Sequence, residues 1–179
     1  SEPPVQPTLR AGVRVTWSAM FDAVRDRLLD LEPVDPAAVR LVRAEILGGT
    51  MPAKAERARC IHRWVMENVE PAEDSFFASA PAMLAARAGQ RLRLLRYLLG
   101  LADVSTRIAF VRHLGSQPPH PSVPRDSDYA AMVLLVDVDA PAPLVMVGAG
   151  RGYAYDYFPA VLRGQEGIVR ESGLPRVVL

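Results

Sequence analysis

Lysine is almost missing from this chain. Lys54 is the only one, so positive charge rests on arginine, and 21 basic residues meet 20 acidic ones. Without a surplus of either sign, nothing steers the protein onto a nucleic acid backbone or an anionic membrane surface. Cysteine is just as scarce. A single thiol, Cys60, excludes an internal disulfide and a multi-cysteine zinc or iron–sulfur centre. No apolar run reaches the roughly 18–20 residues needed to cross a bilayer, and the N-terminal stretch lacks the basic and apolar regions of a signal peptide. Neither a nucleic acid partner, a membrane span nor a cofactor is expected.

What is present is apolar. Half of the 179 residues are hydrophobic, enough for one domain with a substantial core and too few for two. The Pro-rich opening SEPPVQPTLR resembles an interdomain linker, which divides the chain into a linker over 1–12 and one domain over 13–179, as in a piece of a longer protein.

The first half reads helical. Thr16 or Ser18 caps a segment with apolar residues at Met20, Phe21, Val24, Leu28 and Leu29, the three-and-four spacing of one buried face. Asp35 and Pro36 open a second helix with Val39, Leu41, Val42, Ile46 and Leu47, stopped by Gly48 and Gly49. A third starts near Pro52 and presents Ala58, Ile61, Trp64, Val65 and Val69; a fourth, PAMLAARAG, ends at Gly89; a fifth follows with Leu92, Leu95, Leu98, Leu99 and Leu101. From Ser105 the pattern turns to strands. STRIAFVRH is β-rich, AAMVLLVDV and APLVMVG are too continuously apolar for one-sided surface strands, and YAYDYF and GIVRE read as further short ones. Helices first and strands after predict an α+β fold, with N-terminal helices packed on a C-terminal antiparallel sheet.

Several stretches invite a chemical reading. VMVGAGRG, with Gly148, Gly150 and Gly152, has the look of a phosphate-binding turn, but its third glycine falls one residue early for a dinucleotide fingerprint and too little chain follows for the βαβ unit. It reads instead as a turn between two strands. Cys60 and His62 lie two apart on a helix, which points them to different sides and suits neither shared metal ligation nor a nucleophile–base pair. His113 ends a strand, His120 sits among prolines, and Asp126 and Asp128 belong to a loop of turn formers where aspartate is ordinarily solvated. Arg87, Arg91 and Arg96 around the fourth and fifth helices could bind an anion, although an exposed face explains them as well.

The stretch APAMLAARAGQRLRLLRYLLGLADVSTRIAFVR, residues 80–112, resembles the central segment of the transglutaminase-like superfamily, whose papain-like α+β core runs helix, G-x-C opening a long apolar helix, short turn, strand. Ala82 to Leu84, Arg87, Gly89, Leu98, Leu99, Ala102, Val104 and Arg107 carry the likeness. Ala58 to Val69 upstream, and DYAAMVLLVDV, PLVMVGAG and YFPAVLRGQEGIV downstream, extend it over nearly the whole chain, in the manner of bacterial envelope-associated members.

Active members of that family need a thiol at a helix N-terminus, a histidine that activates it and an aspartate that orients the histidine. The resemblance puts the thiol's place at Arg91, or one turn earlier at Ala88, the histidine's at Ala130 or Ala131, and the aspartate's at Gly148. None of these side chains can attack, accept a proton or orient a base. The resemblance therefore implies a catalytically inactive, periplasmic or envelope-associated module. Its residual cleft near Arg91, Tyr129, Gly148 and Gly150 would take a peptide or protein segment, or a neighbouring domain of the same chain, with Arg91 binding a carboxylate. The contrasting expectation is an enzyme of divergent mechanism, a hydrolase or acyltransferase using Cys60, His62 or the acids at 126 and 128.

Overall fold

The structure is a computed structural model that describes residues 32–72, 78–112, 114, 131–147, 153–155 and 157–169, with the backbone of 176–178. The helix expected around Met20, and residues His113, His120, Asp126, Asp128, Tyr129, Ala130, Gly148, Gly150 and Gly152, lie outside these.

Chain punctuation falls where local chemistry places it. Asp35 caps the first described helix, α1 (Pro36–Arg40), its carboxylate accepting from the Ala37 amide at 2.9 Å, and Pro36 stands where no amide is needed. The expected α-helix does not continue unchanged. Residues Leu41–Ile46 widen into a π turn, with the Leu47 amide donating to Val42 O at 3.0 Å. The extra residue per turn rotates Leu47, rather than Ile46, onto the buried side below Ala38 and Val42. Gly48 and Gly49, at φ of 62° and 74°, then end the run.

Helix α2 (Lys54–Asn68) buries Ala58, Ile61, His62 and Val65, one continuous stripe. Helix α3 (Ala80–Ala86) is capped by Ser79, whose hydroxyl accepts from the Ala82 amide, and closes with Arg87 in the left-handed region at φ 52°. Helix α4 (Arg91–Leu101) is apolar nearly all round, with Leu92, Leu94, Leu95, Tyr97, Leu98 and Leu99 buried, as befits a central helix. Between these helices, β1 (Glu70–Pro71) and β2 (Ala88–Gly89) pair in parallel, Glu70 opposite Ala88. That pairing brings the exit of α2 beside the entrance of α4.

Among the described residues five strands make the main sheet: β3 (Thr106–Val111), β4 (Ala131–Val136), β5 (Leu144–Val147), β6 (Glu166–Val169) and β7 (Arg176–Val178). The order is β5-β4-β3-β6-β7 and every neighbouring pair is antiparallel. The fold is thus α+β, as composition and pattern predicted. Ile108, Leu134, Val136 and Met146 join the helical core on one face, while Ala109, Val111, Val133, Leu135, Val147 and Val169 meet Leu162 and Phe158 on the other. Two covered faces explain the unbroken apolar runs of the central strands. YAYDYF departs from expectation. Its described residues form no strand; Tyr153 packs against the far-face cluster and Tyr155 against the helical core. β7 carries no strand expectation in the sequence.

Candidate functional site

Arg91 is the first residue of α4, the end at which a helix dipole disfavours a cation. Its guanidinium does not stay there. Nε donates to Val69 O at 2.8 Å and Nη2 to Met66 O at 3.3 Å, so the charge lies against the unpaired carbonyls at the C-terminal end of α2. The residue is 8% exposed. The arrangement is reciprocal, since Arg57 near the start of α2 donates from Nη1 to Ala102 O, beyond the end of α4, at 2.6 Å. Two antiparallel helices are thus tied at both ends by an arginine from one reaching the carbonyls of the other. Arg91, expected as a hook for a ligand's carboxylate, is engaged inside the scaffold.

Sheet register bears on the other expected places. Ala131 packs with the Ala109, Val133 and Val147 cluster, on the face turned away from the helices, so it cannot supply a group to a site beside Arg91. Ala88, the alternative thiol position, lies in β2. Ala130, Tyr129, Gly148 and Gly150 fall outside the described residues.

Cys60 and His62 diverge as their spacing requires. The thiol has Glu56 Oε1 at 3.7 Å and Arg63 Nη2 at 3.8 Å, whereas His62 presents its ring edge-on to Tyr155, centroids 5.6 Å apart. The arginines around α3 and α4 do not converge either. Arg87 lies over the Trp64 ring at 4.5 Å, Arg91 ties down α2, and Arg96 lines a hollow of about 390 Å³ with Tyr97 and Thr106. In that hollow Arg93 is ion-paired to Glu32, and burial pushes the Arg96 guanidinium below its usual range. Among the described residues no group of three or more His, Cys, Asp or Glu side chains is placed to hold a metal ion, and no helix is long and apolar enough to cross a membrane.

The larger hollow was not anticipated. A groove of about 590 Å³ runs between α2 and the Tyr153–Tyr155 segment. Tyr155 pins the two walls together, its hydroxyl donating to Ala55 O at 3.0 Å and its ring lying 5.4 Å from the Arg59 guanidinium carbon. Burial raises the Tyr155 hydroxyl above its usual pKa, so it remains a donor at neutral pH. His62 forms part of the floor; burial pushes its imidazole below the ordinary value and keeps it neutral near pH 7. One sequence signal pointed this way: His62 shares the stripe of Ala58, Ile61 and Val65. Nothing local linked that stripe to Tyr155, ninety-odd residues on.

These features define an α+β chain with helices layered on one face of an antiparallel sheet. Compared with known proteins, that architecture is similar to the crystal structure of a "putative protease" from Parabacteroides distasonis, with a TM-score of 0.52 and 13% identity, over 79% of this chain and 31% of the other. The chain therefore spans less than a third of that protein's length, and at this identity the likeness is one of fold. No protein-family model matches the chain, and no curated protein matches its sequence.

Proposed function

We propose that the chain is a non-enzymatic transglutaminase-like domain, a binding or scaffolding module of a larger envelope-associated bacterial protein. The observation that carries this reading is the state of Arg91. It stands where the resemblance places the nucleophile, has no nucleophilic atom at neutral pH, and spends its guanidinium on two backbone carbonyls of α2. A position used to join two helices is a structural position. The likeness in fold to a larger protein described as a "putative protease" is compatible with such a module and bears equally on the alternative, a hydrolase or acyltransferase with a site of its own.

The test is turnover. Purified protein incubated with amide and thioester substrates should release no product above the uncatalysed rate, and alkylation of Cys60 should leave that result unchanged. Turnover abolished by Cys60→Ser or His62→Gln would establish the divergent enzyme instead.

A further inference from the structure

The groove between α2 and the Tyr153–Tyr155 segment has an imidazole in its floor with no hydrogen bond to the described protein. His62 is 3% exposed, it lines the groove, and among the described residues neither ring nitrogen has a hydrogen-bond partner. Its nitrogens are not among the fully enclosed unpartnered atoms, so the little surface the ring keeps lets them hydrogen-bond an occupant of the groove. A neutral imidazole offers that occupant one donor and one acceptor.

The groove's rim states what kind of partner fits. Arg59 and Arg63 stand one turn apart on α2. Arg59 is already occupied, its Nη1 lying 3.8 Å from Glu56 Oε2 and its guanidinium against Tyr155. Arg63 has only the Cys60 thiol, at 3.8 Å, as polar partner among the described residues, which leaves its fork available for a carboxylate. Glu67 and Glu56 also border the groove and balance the two arginines, an arrangement that disfavours phosphates and polyanions and leaves the attraction for an anion to the fork of Arg63. Met66 and the rings of Tyr153 and Tyr155 offer an apolar wall. The volume, about 590 Å³, is that of a small-molecule site.

The geometry points to a monocarboxylate site: Arg63 holds the acid group, Met66 and the tyrosines hold an aromatic or aliphatic body, and His62 hydrogen-bonds a ligand heteroatom in the floor. The carboxylate belongs either to a free organic acid or to the C-terminus of a peptide. This inference is independent of the proposed loss of catalysis, since Arg63, His62 and the tyrosines take no part in the bonds that Arg91 makes to α2, and the groove would bind such a ligand in an enzyme or a scaffold alike.

Calorimetric titration of the full chain tests it with four probes: hydrocinnamate, hydrocinnamamide, and the tripeptide Ala-Ala-Phe as free acid and as C-terminal amide. At least one acid should bind with Kd at or below about 1 mM, and its amide should bind at least about tenfold more weakly. Binding by the small acid alone, or by the peptide alone, upholds the site and identifies the source. Arg63→Gln, a substitution on the surface, should weaken the acid about tenfold, while Arg96→Gln in the other hollow should not. Because replacing His62 could disturb the core, its part is read in the unaltered protein, where ligand should shift the His62 imidazole resonances. Absence of binding by both acids at about 10 mM overturns the proposal. So does equal binding of acid and amide, indifference to Arg63→Gln, or unmoved His62 resonances at saturation.

Discussion

Replacing Arg91 by alanine separates a structural arginine from a ligand hook. The substitution removes a charge-assisted bond of 2.8 Å to Val69 O and a longer one of 3.3 Å to Met66 O. The short bond to a charged donor contributes about 1.5–3 kcal/mol and the long one about 0.5–1 kcal/mol. Recovered hydration of the freed carbonyls returns part of this, while the space left by a side chain only 8% exposed adds to the loss. The expected net cost is about 2–4 kcal/mol, or a fall in Tm of roughly 5–15 °C for a chain of this length. Urea unfolding followed by far-UV circular dichroism measures it, with an unchanged slope confirming that stability alone has moved. Arg91→Lys keeps a cation near the end of α2 but loses the planar fork, so it should cost about half as much. A solvent-facing hook behaves otherwise, because surface substitutions usually stay within about 0.5 kcal/mol. An Arg91→Ala protein that stable would refute the tie between α2 and α4.

Two glycines should respond with opposite signs. Gly89 has φ of 153° and a Cβ there would lie 2.5 Å from Met83 Sδ and 2.9 Å from its Cβ, so Gly89→Ala should lose about 2–4 kcal/mol, whereas Gly100, with open space around it in α4, should gain up to about 1 kcal/mol as alanine. Thermal melts of both variants decide the matter; a destabilised Gly100→Ala would contradict the open surface of the helix there. His62 should make stability depend on pH. Its folded pKa is lowered by burial from an ordinary value of 6.5, so below that pH the unfolded chain binds the extra proton. Stability is then fully present above about 6.5 and falls with decreasing pH by at most about 1.4 kcal/mol per unit. Urea midpoints compared with those of His62→Gln should show this excess pH dependence, and identical profiles would exclude it. Tyr155→Phe removes the hydroxyl donated to Ala55 O and should cost about 0.5–1.5 kcal/mol in the same assay, with a null effect showing that the groove's two walls are not joined there.

How legible these features were depends on their range. Ala58, Ile61, Val65 and Val69 announce their buried face through spacing alone, whereas α3, expected to run to Gly89, ends at Ala86 with the non-glycine Arg87 as its left-handed cap, and Gly89 lies in β2. The π turn after Arg40 left no such mark. Its residues fit an α pattern equally well, and the wider turn is visible only in the Leu47 amide's bond to Val42 O and in Leu47's place in the core. The resemblance singled out Arg91, but as the occupant of an emptied site; its bonds to α2 depend on where β1 and β2 set the two helix ends.

From the residues alone came the helices from Pro36 to Leu101, the strands β3 to β6 with approximate bounds, and the α+β class, because side-chain periodicity and capping act over a few positions and survive without knowledge of the rest of the chain. Tertiary structure alone decided the strand order β5-β4-β3-β6-β7, the turning of Ala131 to the far face, the capture of Arg91 and the meeting of His62 with Tyr155. Each of those is a contact between segments distant in sequence, and its free energy depends on burial and pairing that exist only once the layers have come together.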